Sequence, residues 1–570
     1  MFLCAPAPAA AHAADPIMPL AEVRSGMRCT GLSVVRGTEV SSFDVEVIDV
    51  IADDPATGGP RILTRTSGPA VDATGIGPGF SGSPILCDGR NAGAISEGIG
   101  AYGNHVVLAT PIEEILTARP APVPATARRA PRIARAARPL LGPLTVGGLS
   151  SRTRQLVARA ARRSGRVVLA APPGPVGGYA AVDPQPGSAV GAALSTGDVA
   201  IAAVGTVAYR DGDQIYAFAH ALDGIGRRAL FLQDSYVFSV IGNPIGVPEL
   251  GAITYKLTSS GGHALGSFTN DTLSGSGGRL GVEAPSVPLR VTARERGSGA
   301  VTLDSRLADE RRFGLGAGLS FVAPIAAGTA LDRLLRTFEP ATLTLCMRFR
   351  VSGLRRPMGF CNPYFDAFEA MLDVGRAGAM VDRFDFAPLD IRGTAVSMSA
   401  RRGVVDDVLV AAKPIGRARP GRRVPVRVTL QRRGGGSRTV TVRLRVPRDL
   451  PPGPATLVLS GNGFAGDPGL IIELIEGELA GGRASGGLRG AAAGMSRAPG
   501  AAGLDRTRGA AARAAPRTVR RLARRIAGMR RPLGIVARFG RRERRVVLRS
   551  DDVRFDGRVK LRLRVSRARR

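Results

Sequence analysis

In the stretch "VPVRVTLQRRGGGSRTVTVRLRV", Val424, Val426, Val428 and Leu430 alternate with polar or small residues, and beyond the glycine-rich turn Val440, Val442, Leu444 and Val446 alternate again. A period of two places these apolar side chains on one face of paired strands, which a helix of period 3.6 does not reproduce. A third strand, "ATLVLS", follows a Pro-Pro-Gly turn, so residues 406–479 are expected to form a small β-sandwich. Shorter alternating segments fill the first part of the chain. "TGLSVVRGTEVSSFDVEVIDVIAD" reads as a hairpin, followed by "PRILTRT", "SPILCDGRNAGAIS" and "HVVLATP". The expected fold class is mainly β.

With 570 residues, 44% of them apolar, the chain has room for several cores. Residues 1–14 read as a signal-like leader, because Ala11-His12-Ala13 has the form of an A-x-A cleavage site. The basic start of a signal peptide is missing, so either Met1 lies inside a longer signal or the segment is an Ala/Pro leader. Residues 15–116 form one β block, 117–140 a Pro/Ala/Arg-rich linker, and 141–258 a second block with a helix at "SSRTRQLVARAARRSG" and two strands around the turn Arg210–Asp213. Residues 259–405 read as an α+β region without motifs. The uncharged run Phe313–Leu331 is too rich in Gly and Ala, and interrupted by Pro324, to be expected to span a membrane. Residues 480–515 are expected to be disordered, and 516–570 to hold a basic helix and strands.

Net charge is +33, carried almost wholly by arginine, which suits an anionic partner such as a cell-envelope surface. Inflated Ala, Gly and Pro point to compositional drift as its source, and without an aromatic stacking platform or a recognition motif no specific nucleic-acid partner is expected. In "PRTVRRLARRIAGM", Val519, Leu522, Ala523 and Ile526 share one helical face. That helix suits either an anionic surface or docking on its own domain. The terminal "GRVKLRLRVSRARR" reads as an edge strand. Cys29, Cys87, Cys346 and Cys361 remain if the leader is removed, an even number that suits an oxidising compartment. Cys29 with Cys87 and Cys346 with Cys361 are the natural pairings; four buried thiols are the other reading. No metal-ligand spacing or phosphate loop is visible, so no metal or other cofactor is expected.

The chemistry concentrates in "GIGPGFSGSPILCDGRNAGAI". Gly79 and Gly82 flank Ser81 closely enough to turn the backbone sharply and present its hydroxyl, and the N–H groups of Gly79 and Ser81 can converge as an oxyanion hole. A plain Gly/Ser turn before a strand is the alternative. The pattern lacks the second glycine of a G-x-S-x-G elbow and has the shape of G-D-S-G-G-P in chymotrypsin-like peptidases. A base must come from His12, His105, His220 or His263. His12 lies in the leader, His263 in a loop-like "SSGGHALG", and His105 within the serine block itself. His220, in "IYAFAHAL", is the candidate.

The serine block resembles the peptidase domain of stage IV sporulation protein B (the SpoIVB peptidases), whose motif is G-M-S-G-S-P followed by a short turn and G-A; here it reads "GFSGSPILCDGRNAGA". The segment "IMPLAEVRSGMRCTGLSVVRGTEVSSFDVEVIDV" resembles the family's strand pair, and "GTVAYRDGDQIYAFAHALDGIG" its histidine segment. The resemblance implies a chymotrypsin-like double β-barrel over 15–258, in permuted order because Ser81 precedes His220, followed by the α+β region and the sandwich. It implies a secreted or envelope-associated serine endopeptidase acting on protein substrates, with Ser81 as nucleophile and His220 as general base. Ala219 and Ala221 replace glycines of the family, Phe80 replaces Met, and the family's orienting aspartate falls near Thr66 or Ser67. Asp72, Asp211, Asp213 and Asp223 are the possible orienting acids, and a Ser–His dyad or a catalytically inactive scaffolding protein are the other readings. The sequence does not speak to oligomeric state.

Overall fold

The computed structural model describes residues 15–54, 59–99, 105–119, 137–139, 144–163, 168–171, 178–242, 254–295, 299–311, 316–337, 340–384, 386–461, 471–473, 518–530, 533–540, 545–550 and 552–566. The leader 1–14, most of the 117–140 linker and the 480–515 segment lie outside them. The described chain is mainly β, with 54% strand against 16% helix.

The first unit is a closed six-stranded barrel. Strands β1 (Arg28–Arg36), β2 (Glu39–Asp54), β3 (Gly59–Ser67), β4 (Pro84–Cys87), β5 (Arg90–Ile99) and β6 (Val106–Pro111) pair in the order β4-β1-β2-β3-β6-β5, and β5 closes onto β4. The period-two pattern turns Phe43, Val45, Val47, Ile62, Ile85 and Ile95 inward, each at most 3% exposed. At about 1.5–3 kcal/mol per large apolar side chain, this set supplies most of the barrel's cohesion. The Cys29–Cys87 disulfide joins β1 to β4 with 4.4 Å between Cα atoms. Arg61 Nε lies 3.1 Å from Glu97 Oε2, both side chains being 1% exposed. A helix α1 (Ile112–Leu116) follows β6, and β7 (Ala137–Pro139) adds to β5.

The second unit belongs to a thirteen-stranded sheet. Strand β8 (Leu144–Gly147), helix α2 (Ser151–Arg163) and strand β9 (Val168–Ala171) lead into strands β10 (Ala189–Gly197), β11 (Ala200–Asp211), β12 (Gln214–Ala217) and β13 (Gly226–Asp234). A separate ribbon, β14 (Val237–Ile241) with β15 (Tyr255–Thr258), precedes β16 (Ala264–Thr272) and β17 (Gly275–Leu280). Pairing runs β10-β13-β16-β17-β12-β11 and returns from β11 to β10. The boundary expected at residue 258 therefore cuts through this unit. Its last two strands, "ALGSFTNDT" and "GSGGRL", are Ser/Gly-rich because backbones approach closely there: a Cβ on Gly266 would sit 2.0 Å from Arg279 O.

From β10 the sheet continues through β18 (Ser286–Glu295), β19 (Ala300–Ala308), β20 (Ala341–Val351), β21 (Met358–Tyr364) and β22 (Ile391–Arg402), with the Cys346–Cys361 disulfide across β20 and β21. Helices α3 (Leu319–Leu335) and α4 (Ala367–Asp382) pack on one face. The run around Pro324 lies in α3, buried almost throughout, and no described helix is long and apolar enough to cross a membrane.

The C-terminal unit pairs two four-stranded sheets. Strands β23 (Val405–Pro414), β24 (Arg423–Arg432) and β25 (Ser437–Arg445) face β26 (Gly453–Gly461), β27 (Gly534–Phe539), β28 (Arg545–Arg549) and β30 (Arg558–Val565), while β29 (Val553–Asp556) joins the first sheet beside β23. The sandwich thus takes half its strands from beyond residue 479, where the sequence reading ended it. Three strands could not cover the apolar face of Val424, Val426, Val428 and Leu430; Leu561, Leu563 and Val565 complete it. Helix α5 (Val519–Ala527) leaves the sandwich and buries Leu522 and Ile526 in the core of α3 and α4. Its apolar face is covered by its own protein.

Candidate functional site

Ser81 stands on the turn between β3 and β4, pressed against the second unit. Thr206 N–H of β11 donates to Ser81 O at 2.8 Å, and Thr206 Oγ1 donates to Gly79 O at 2.9 Å. Gly82 has φ +91°, and a Cβ there would stand 2.0 Å from Thr206 O and 2.7 Å from Phe218 N, so only glycine allows the contact. Gly79, φ +97°, turns the chain so that Phe80 N–H bonds Gly77 O and Gly82 N–H bonds Ile95 O. The N–H groups of Gly79 and Ser81, alternating with these used donors along the chain, have no acceptor among the described residues. Ser81 is fully buried and its Oγ has no hydrogen-bond partner. Leaving such a hydroxyl unpaired costs about 1–3 kcal/mol; Thr145, Ser195, Gln233, Ser235 and Thr394 hold buried polar atoms in the same state, so it is the place of Ser81 on the turn that sets it apart.

His220 follows β12 by three residues. Phe218 N–H donates to Thr206 O at 3.2 Å, the same Thr206 that holds the Ser81 turn, so both candidate residues hang from one point of β11. Thr110 Oγ1 of the barrel donates to Ala219 O at 2.7 Å. Phe218 and Ala219 both have positive φ, +69° and +54°, an unusual state for residues with a Cβ. His220 is 2% exposed, and its Nδ1 lies 2.8 Å from Ala221 O. A carbonyl only accepts, so Nδ1 donates in this contact. Ser81 Oγ makes no hydrogen bond to His220 in this arrangement.

The four acids separate. Asp72 accepts from Gly68 N–H within the β3–β4 loop. Asp211 pairs with Arg119 and Asp213 with Arg279, both at the far end of the β11–β12 hairpin from His220. Asp223 alone lies in the His220 loop, 2.7 Å from Arg228. Asp271 was not singled out from the sequence, yet its carboxylate accepts the N–H groups of Leu222, Asp223 and Gly224 and the Ser276 hydroxyl, fixing the loop after His220. Nothing short-range in "TNDT" announces that role.

His263, read from sequence as a loop residue, is held by a buried carboxylate: Nδ1 lies 2.8 Å from Asp234 Oδ2, with Asp234 2% exposed. Neither residue hydrogen-bonds the Ser81 turn among the described residues. Lys256 was also missed. It is 1% exposed, donates to Ser33 Oγ at 2.6 Å and Thr206 Oγ1 at 3.2 Å, and lies 4.4 Å from the centre of the Phe80 ring. Burial pushes its pKa down to about 7. Among the described residues no group of three or more His, Cys, Asp or Glu side chains is placed to hold a metal ion. Comparison with protein-family models, with curated proteins and with solved structures finds no match to this chain.

Proposed function

We propose that the chain is a secreted or envelope-associated serine endopeptidase of permuted chymotrypsin-like type, similar to the stage IV sporulation protein B peptidases. The observation that carries this reading is the conjunction at the Ser81 turn: two N–H donors without acceptors, two residues apart, beside a buried hydroxyl without a partner. Ser81 Oγ attacks the peptide carbonyl and passes its proton to His220 Nε2. The Gly79 and Ser81 N–H groups receive the oxyanion, His220 returns the proton to the leaving amine, and water resolves the acyl-enzyme. The Ala221 carbonyl, accepting from Nδ1, supports the tautomer that this role requires. Of the four acids, Asp223 is the one that shares the His220 loop, with its carboxylate 2.7 Å from Arg228. The two β-units would then act as the two walls of the substrate cleft.

A second reading, an inactive scaffolding protein, is favoured by the enclosure of Ser81 and the lack of a Ser81–His220 hydrogen bond. Hydrolysis of a mixed peptide library by the full chain separates the two. Cleavage that disappears in Ser81→Ala supports the peptidase; identical cleavage by that variant, or none by the folded wild type, supports the scaffold.

A further inference from the structure

Lys256 sits between the barrel and the second unit, with no charged partner among the described residues. The groups that face it are Ser33 from β1, Thr206 from β11, and Pro78, Gly79 and Phe80 from the serine turn; none is ionisable near neutrality, and no carboxylate pairs with it among the described residues. Its own N–H donates to Pro78 O at 3.0 Å. Ser33 Oγ in turn lies 2.8 Å from Ser83 Oγ, and Thr206 Oγ1 donates to Gly79 O. One amine therefore reaches the residues on both sides of Ser81: Gly79 through Thr206, Phe80 directly, and Ser83 through Ser33.

We propose that Lys256 is a positioning residue that locks the Ser81 turn against the second β-unit, and that it does so as a neutral amine. The proposal rests on the reading of Ser81 as the nucleophile. A neutral amine has two N–H donors, and Ser33 and Thr206 accept both; an ammonium would carry a third donor and a charge into a site that offers only the Phe80 ring for it. The depressed pKa agrees with this inventory. Because an unfolded lysine stays protonated up to about pH 10.4 while the buried one does not, the folded state gains stability as pH rises through that window.

The test compares the full-length wild type with Lys256→Met, which keeps the stem against Phe80 and removes the donors. Amide hydrogen exchange over residues 77–83 should accelerate by about tenfold or more in the variant, while β2 and β3 are unchanged; equal exchange overturns the lock. The stability of the wild type relative to the variant should rise from pH 7 to pH 10, and a constant difference overturns the neutral form. Should Lys256→Met fail to fold, Ser33→Ala removes the Lys256–Ser33 and Ser33–Ser83 hydrogen bonds and leaves the one to Thr206, and exchange over the same residues decides. Fluorophosphonate labelling separates the two proposals. A wild type that does not label, with accelerated exchange in the variant, sinks the peptidase and leaves the lock; labelling at equal rates in both proteins overturns the positioning role.

Discussion

The turn that carries Ser81 and the loop that carries His220 reach unusual backbone angles by opposite means. In the barrel, Gly79 and Gly82 take positive φ without a Cβ to oppose it, and their bareness lets the turn approach Thr206 and Lys256. In the second unit, Phe218 and Ala219 take positive φ with side chains fully buried, held there by Thr206 O on one side and the Thr110 hydroxyl on the other. The serine turn is permitted by its sequence; the histidine loop is imposed by its surroundings. A left-handed alanine costs roughly 1–2 kcal/mol, which the contacts between the two units must offset. Both segments take hydrogen bonds across the two units, the serine turn from Thr206 and the histidine loop from Thr110, but only the histidine loop needs them to hold residues with a Cβ at positive φ.

That contrast can be broken by substitution, and the largest effect should come from the barrel. Gly82→Ala puts a methyl group into Thr206 O at a left-handed position. We expect a loss of about 3–5 kcal/mol in chemical denaturation, together with loss of any Ser81 reactivity. A loss under about 1 kcal/mol would mean that the turn is free to relax. The reverse change in the second unit, Ala219→Gly, should be tolerated. Relief of the left-handed strain is set against a lost buried methyl and a more disordered unfolded chain, and the net change should stay within about 1 kcal/mol. A large destabilisation there would show that the loop is held by its side-chain packing and not by the hydrogen bonds from β11 and β6. The smallest effects belong to the exposed acids: Asp211→Asn and Asp213→Asn, far from His220, should each alter stability by less than about 0.5 kcal/mol and leave Ser81 reactivity unchanged. A drop in reactivity in either would revise the placement of the orienting acid.

What could be read in the sequence follows from how local each feature is. The alternation from Val424 to Val446 fixed strands β24 and β25, and the glycines around Ser81 marked a tight turn, because both signals lie within a few residues of the structure they produce. Strands were expected in 516–570, the terminal one among them, but their place in the sandwich was hidden because they lie beyond residue 479, past a stretch with no strand pattern. β16 and β17 were hidden because small residues replace the apolar alternation where backbones crowd together. Lys256 and Ser33 are 223 residues apart, and Asp271 acts on a loop 47 to 49 residues earlier. A lone Lys in "TYKLTSS" reads as a solvated strand residue until the fold buries it.

The most direct measurement of the Ser81–His220 assignment is fluorophosphonate labelling of the full chain, read as adduct mass and mapped by peptide fragmentation. The account predicts a single adduct on Ser81, absent in Ser81→Ala and slowed by about 100-fold or more in His220→Ala. An adduct on another residue, undiminished labelling in His220→Ala, or no adduct on the folded wild type would contradict it.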